Sequence, residues 1–373
     1  MQAIPLGKQY SEVEKEAGAP KFIFYTATSG IWQSVWLEPV PAQSVERLVL
    51  TPDIDQSRLQ LKVVVEGGEV DQVEVEVVEE VEGEEVVVVR KTVTTNTEQH
   101  LELGENVKLW SPERPALYDL RVRLVQSGDQ VGSYFGMRKI ETRKVGKFHR
   151  IFLNNAELKF QLGALDQGYW PDGLLTPPSE AGLVWDLRQS KELGFNLVRK
   201  HIKLESSRWY YWADKLGLLV WQDFPSISDV HPGQEISRED RENFAREYRR
   251  WLEQRGNHPS IVLWVVFNEA WGQFDTVEVT RAVMAADPSR LVTGASGWDD
   301  HPVGHIMDVH VYPGPSNGGS QLARGDLGRA AVVGEMWGQS KVVWGHCWYG
   351  DSQARQDPRG GVASQDQFLQ VNQ

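Results

Sequence analysis

The sequence predicts a multidomain β and α/β protein: an immunoglobulin-like β-sandwich followed by a (β/α)8 barrel. Three observations carry this reading. From about Val45 to Val145 the chain alternates apolar and polar residues with period two, and Gly, Pro and Asp interrupt the runs at short spacing, the pattern of an antiparallel sandwich. From about Gly146 short apolar strands alternate with helical stretches, which implies a parallel sheet, doubly wound or closed as a barrel. No Gly-x-Gly-x-x-Gly turn follows the first of those strands, so a dinucleotide-binding version has little support.

In chain order, residues 1–42 hold an apolar aromatic stretch, "KFIFYTATSGIWQSVWLEPV", that ends in a Pro-punctuated linker. Residues 43–145 hold the alternating runs, among them "RLQLKVVVEG", "VDQVEVEVVEE" and "LYDLRVRLVQ". Ten Asp or Glu fall between Glu66 and Glu85. A calcium site is conceivable there, but alternation with Val makes these side chains one solvated strand face. In residues 146–373 strands are expected near 158–165, 195–200, 218–223, 261–267, 290–295, 306–311 and 331–335. Between them Ser179 and Glu180 open one helix as an N-terminal cap, a second stops at Gly217, and "SREDRENFAREYRRWLEQRGN" forms a long amphipathic third.

Composition narrows the function. The formal net charge of −13 argues against nucleic-acid and anionic-membrane partners. One cysteine, Cys347, allows no internal disulfide. No apolar run reaches the roughly 18 residues of a membrane span. The opening "MQAIPLGKQYSEVEKEAGAP" lacks the apolar core of a signal peptide, so a cytoplasmic location is the default expectation. Fifteen Trp suggest flat stacking surfaces, although each alone reads equally well as core filler.

The chemistry collects at the predicted C-terminal strand ends. "SIVLWVVFNEAWGQFD" places Asn268 and Glu269, then Trp271, directly after the most apolar strand. Burying an unpaired carboxylate is costly, so Glu269 is either a paired structural acid or one whose altered protonation is useful. The other strand ends deliver Asp166; Arg199, Lys200 and His201; Gln222 and Asp223; Ser296 and Trp298; His310 and Tyr312; and Glu335 followed by Trp337. Singly, Arg199 or Asp223 reads as an ion-pair member, His310 as a core histidine and Glu335 as a capping acid. Together they form a polar ring at the rim where barrel enzymes build their sites. Two carboxylates facing a Trp-rich cleft suit glycosidic bond cleavage, one giving a proton and the other attacking or stabilising the anomeric carbon. His201, His310 and Asp223 lack metal-ligand spacing, and no metal or cofactor is expected.

These residues resemble the family 2 glycoside hydrolases, which include β-galactosidases, β-glucuronidases and β-mannosidases. "TSGIWQSVWLEPV" looks like the closing strand of that family's N-terminal jelly-roll domain, so residues 1–42 would be its remnant. "GFNLVRKHIK", "LGLLVWQDFPS", "HPSIVLWVVFNEAWG", "DPSRLVTGASGW", "DVHVYPG" and "AAVVGEMWG" look like barrel strands two to seven. The resemblance implies a retaining exo-β-glycosidase with Glu269 as acid/base and Glu335 as nucleophile, roughly 5 Å apart. It further implies that Asn268 bonds the sugar 2-hydroxyl, that Tyr312 lies against the nucleophile, and that Arg199, His201, Asp223, His310 and Trp298 line the sugar subsite. Asp166, Trp271 and Trp337 join them as candidate substrate contacts. Two departures weaken any choice of sugar: "RKHIK" stands where many members read Arg-Thr-x-His, and "WQDF" where many read Asp-Glu.

The tail after "GEMWGQSKVVWGHCWYGDSQ" shows no eighth strand, and residues 146–373 fall short of the roughly 250 of a complete barrel. The expectation is therefore a barrel truncated before strand eight, in a fragment whose full-length form takes a carbohydrate substrate and could be a homo-oligomer. The alternative to a hydrolase is a carbohydrate-binding pseudoenzyme or an inactive fragment.

Overall fold

The computed structural model describes residues 7–9, 25–26, 28, 30–65, 70–226, 235–312 and 328–336. Among the described residues seven strands come first: β1 (Val45–Asp53), β2 (Arg58–Val65), β3 (Gln72–Val81), β4 (Glu84–Thr94), β5 (Glu98–Glu102), β6 (Tyr118–Leu124) and β7 (Gln130–Phe135). They form two antiparallel sheets, ordered β1-β2-β5 and β4-β3-β6-β7. Period two decides what each sheet buries. Val73, Val75 and Val77 of β3 sit opposite Leu124, Val122 and Leu120 of β6 and share a core with Leu59 and Leu61 of β2. The intervening Glu74 and Glu76 face outward and pair with Arg123 at 3.0 Å and Arg90 at 2.6 Å. Glu74 and Glu76 thus lie on a solvated strand face balanced by cross-strand cations, as expected. Asp71 of the same acidic run is instead buried and accepts the Gln72 and Gln126 amides, and Glu66 and Glu69 lie outside the described residues.

A hairpin of β8 (Ile140–Val145) and β9 (Phe148–Leu153), with the short β10 (Ala156–Glu157) on β9, leads into the barrel. Five parallel strands follow in sequential order: β11 (Gly163–Asp166), β12 (Leu197–Lys200), β13 (Leu219–Asp223), β14 (Ile261–Asn268) and β15 (Leu291–Ser296). Helices α1 (Glu180–Glu192), α2 (Ser207–Leu216), α3 (Arg238–Arg255) and α4 (Thr276–Ala286) connect them. Ser179 caps α1 by accepting from the Gly182 amide, and Gly217 ends α2 in the left-handed region at φ 74, as the sequence implies. The first barrel strand is shorter than 158–165. Leu158 donates its amide to Ile151 of the hairpin instead, and Phe160 is exposed.

All eight residues of β14 are buried, as a strand covered on both faces requires. Leu263 and Val265 join Leu197, Leu219, Trp221, Leu291 and Ile306 in the barrel interior, which Ile151 and Leu153 of the hairpin also enter. Trp264 and Val266 pack with the helices. The last two strands among the described residues, β16 (Ile306–Val311) and β17 (Ala330–Met336), pair in parallel, and Ala330 of β17 pairs with His149 of β9. No backbone ladder joins β15 to β16; they meet through an isolated bridge at Thr293–Gly304, the His305 amide on the Val292 carbonyl, and side chains. The expected absence of an eighth strand concerns residues outside those described.

The sandwich is fastened to the barrel by buried polar contacts. Arg138 donates to the carbonyls of Pro259, Ile261 and Ser289. Asp214 accepts from the Tyr134 hydroxyl at 2.7 Å and the Ser260 amide at 2.8 Å, and its carbonyl accepts from Trp110 Nε1. Asn257 bonds the β1 backbone at Leu48 and Leu50.

Candidate active site

Strand alternation selects which rim residues meet. Leu197 lies in the barrel core, so Arg199 points inward, whereas Lys200 points out toward the helices. Leu219 and Trp221 precede Asp223 in the same way, and Ile306 precedes Asp308 and His310. The Arg199 guanidinium, almost fully buried, reaches across the barrel. It donates to both Asp223 carboxylate oxygens at 2.9 Å, to Asn268 Oδ1 at 2.8 Å and to Glu335 Oε1 at 3.0 Å. His201 Nδ1 lies 2.9 Å from Asp223 Oδ2. Burial raises the Asp223 carboxyl, but Arg199 and His201 outweigh it and hold its pKa below the ordinary value. Burial also lowers the pKa of His201.

Glu269 sits one residue beyond β14 at φ 51, and Ala270 follows at φ 64. Consecutive left-handed non-glycine residues are costly; here the Glu269 amide is held by the Ser296 carbonyl at 2.8 Å. The turn aims the carboxylate at His310, whose Nδ1 is 2.7 Å from Glu269 Oε1. Glu335 reaches the same place by a different device. The register of β16 and β17 slips between Val309 and His310, which brings Glu335 opposite His310. At Gly334 the amide donates to Asp308 Oδ1 at 2.6 Å, and a Cβ there would lie 2.1 Å from Asp308 Oδ2. Only glycine lets that carboxylate in. Gly297, at φ +91, similarly leaves room for the His310 ring.

One donor atom each from Glu269, His310 and Glu335 falls within 4.8 Å of the others. His310 Nδ1 and Glu335 Oε2 are already hydrogen-bonded within the site, and we assign no cation to them. Glu335 is nearly buried. Burial pushes its pKa up, but Arg199, His201, His310 and the Tyr312 hydroxyl bonded to Oε2 together hold it below the ordinary carboxylate value. Behind this pair Ser296 Oγ donates to Asp308 Oδ2 at 2.5 Å and lies 2.8 Å from His310 Nε2. Burial raises the Asp308 pKa.

Glu269, Glu335, Asn268, Arg199, His201, Asp223, His310 and Tyr312 therefore form one connected network. The half-exposed Trp298 stands edge-on to His310, with ring centroids 5.7 Å apart. The Trp271 amide closes the turn onto the Asn268 carbonyl. Asp166 does not enter the network: it pairs with the outward-facing Lys200 at 2.7 Å, beside Glu205 and Trp209. Trp337 lies outside the described residues. Two participants were not anticipated from the sequence. Asp308 lies two residues before His310, so a period-two reading of "DVHV" would have found it. Lys8 had no local signal. Its neighbour Gly7 packs on Ile202 and donates its amide to the Ser226 carbonyl, and Lys8 is buried in the field of Glu335 and Glu269. Burial, only partly offset by those carboxylates, lowers the Lys8 pKa to about 8.

The fold and site define an α/β-barrel protein with paired carboxylates at the C-terminal mouth of its strands. Residues 43–138 match the sequence profile described as "Glycosyl hydrolases family 2", and residues 178–313 match "Glycosyl hydrolases family 2, TIM barrel domain". The chain belongs to this family. A beta-galactosidase of Thermoanaerobacter pseudethanolicus is 27% identical over 309 residues, covering 77% of this chain and 39% of the relative. Among solved structures, a beta-D-glucuronidase of Dictyoglomus thermophilum aligns with TM-score 0.66 at 18% identity, over 82% of this chain and 56% of that one. A beta-glucuronidase of Parabacteroides merdae aligns with TM-score 0.65 at 18% identity, over 86% and 42% respectively. The structural likeness shows the fold. The chain spans less than half the length of the curated relatives it matches. No helix among the described residues is long and apolar enough to cross a membrane.

Proposed function

We propose that this chain carries the catalytic centre of a retaining exo-β-glycosidase, which hydrolyses O-glycosyl bonds of a carbohydrate substrate without a metal or cofactor. The observation that carries this reading is the approach of Glu269 and Glu335 oxygens to within 4.8 Å on either side of His310. Oxygens this close favour the roughly 5–5.5 Å carboxyl separation of retaining pairs over the roughly 6.5–9.5 Å that inverting pairs need for an intervening water. Glu335, kept ionised by Arg199, attacks the anomeric carbon while Glu269 gives its proton to the departing glycosidic oxygen. Glu269 then takes a proton from water, which attacks the same carbon and releases Glu335. Asn268, His201, Asp223, Tyr312, Trp298 and Trp271 surround the sugar in this reading. The sandwich of residues 43–145 supports the barrel of residues 146–373.

The test is hydrolysis of nitrophenyl β-galactosides, β-glucuronides, β-mannosides and β-arabinosides, with the first-formed anomer identified by NMR. Retention in the wild type, and loss of at least about 10³-fold in Glu335→Gln, is the expected result. Sugar binding without turnover, unaltered by Glu335→Gln, would instead favour a carbohydrate-binding pseudoenzyme. An inverted first product would overturn the assignment of Glu335 as nucleophile.

A further inference from the structure

The Proposed function uses Glu269 in two protonation states, and the structure connects that carboxyl to a second, fully buried one. From Glu269 Oε1 the path runs 2.7 Å to His310 Nδ1, through the ring, 2.8 Å from Nε2 to Ser296 Oγ, and 2.5 Å on to Asp308 Oδ2. Every separation is a hydrogen bond. Ser296 and Asp308 are buried, and the His310 side chain is inaccessible to solvent. Asp308 is fixed at its other oxygen by the Gly334 amide. Resting on the reading of Glu269 as acid/base, we propose that Asp308, Ser296 and His310 form a proton-sharing chain that exchanges one proton between Asp308 and Glu269.

The chain has two self-consistent settings, because a hydroxyl and a singly protonated imidazole each donate once and accept once along it. In the first, Glu269 is the acid and donates to Nδ1, Nε2–H donates to Ser296, and Ser296 donates to ionised Asp308. In the second, Asp308 is the acid and donates to Ser296, Ser296 donates to Nε2, and Nδ1–H donates to ionised Glu269. Passing from first to second, Glu269 gives its proton to Nδ1, Nε2 gives its own to Ser296 Oγ, and Ser296 gives its own to Asp308. Three bonds to hydrogen break, three form, and one negative charge moves from Asp308 to Glu269. Burial, which favours a neutral carboxyl, makes Asp308 a fitting second site for the proton. The charged groups facing the chain are Arg199 toward Asp308, Glu335 at 3.7 Å from His310 Nδ1, and Lys8 toward Glu269. Asp308 and Ser296 are positioning residues here, since they reach substrate only through His310 and Glu269.

Asp308→Asn tests the proposal on the full chain. The amide keeps the acceptor for Gly334, but its NH2 can only donate to Ser296. It therefore locks the second setting, with Nδ1–H toward an ionised Glu269. Turnover of alkyl glycosides, whose departure requires the acid, is expected to fall at least about 10-fold more than turnover of dinitrophenyl glycosides, which leave unaided. The alkaline limb of the kcat/KM profile should move to lower pH. Ser296→Ala severs the chain, so in the double variant Asp308→Asn should add no further leaving-group dependence. Melting temperature and circular dichroism check that each variant folds. Equal losses on both substrate types, with an unmoved alkaline limb, overturn the chain. Glu269→Gln is the control: if it too lacks leaving-group dependence, the acid/base reading itself has failed.

Discussion

Arg199 divides its donors among Asp223, Asn268 and Glu335, and the ionisation of Glu335 follows from that division. Its depressed pKa means that nucleophilic activity should persist below the pH at which an ordinary glutamate protonates, and fail as pH falls through the lowered value. Arg199→Met should therefore move the acid limb of kcat/KM to higher pH and lower kcat/KM by about 10²–10³-fold. It should also destabilise the fold by about 3–5 kcal/mol, because buried carboxylates lose their cation. A pH–rate profile with a urea titration checks both. Lys8 behaves oppositely. Its folded pKa of about 8 lies below that of a solvated lysine, so the unfolded chain binds more protons above pH 8. Stability should rise between about pH 8 and pH 10.4 and lose this rise in Lys8→Met; a flat wild-type profile would contradict the burial of this side chain. Gly334→Ala should cost about 1–3 kcal/mol and most of the activity, because its methyl would occupy the place of the Asp308 carboxylate. A urea midpoint equal to wild type would show that β17 can shift. Arg199, Asp223 and His310 were legible because titratable residues ended apolar strands. Asp166 also ends a strand but stands outside the network, because strand ends carry polar groups on both faces and it lies in register with Lys200.

Among the elements, the parallel strands from β12 onward were readable to within a few residues, since a doubly buried strand must be a short apolar run between polar ends. β11 was not. Its approach, "LKFQL", alternates like a strand, yet Leu158 is drawn to the hairpin and Phe160 to solvent. The bulge that turns Glu335 inward was equally silent, because a one-residue slip leaves composition unchanged. The turn after β14 makes an element-scale prediction. Ala270→Gly should change stability by less than about 0.5 kcal/mol, against the usual cost of about 0.5–1 kcal/mol for adding glycine, because φ 64 already favours it. Thermal melts of this variant decide the matter; a full-sized loss would mean the turn is not strained.

At the scale of the molecule, the sandwich and barrel are coupled through buried and half-buried hydrogen bonds. Arg138 serves three barrel carbonyls from the sandwich side, and Asp214 answers with contacts from Tyr134 and Trp110. Arg138→Met takes the side-chain donor from the Pro259 and Ser289 carbonyls, at about 1–3 kcal/mol each where no water enters, while the Ile261 carbonyl keeps Arg290 Nε at 2.8 Å. Calorimetry should then resolve two unfolding transitions where the wild type shows one. A single transition at lower temperature would place the coupling elsewhere. None of this was legible in advance, since Arg138 and Asp214 are unremarkable in sequence and meet only when two domains dock.

The seam between β15 and β16 leads to a further expectation. With no ladder across it, the seam is held near its start by the Thr293–Gly304 bridge and the Val292–His305 bonds, and at the mouth by Ser296, Asp308 and His310, so there the barrel wall and the proton path share the same bonds. Breathing of the wall would separate Glu269 from its imidazole, and occupancy of the mouth would oppose that opening. Amide hydrogens of Ile306–Val311 should consequently exchange faster than those of β14 in the free protein and slow when a sugar lactone fills the cleft.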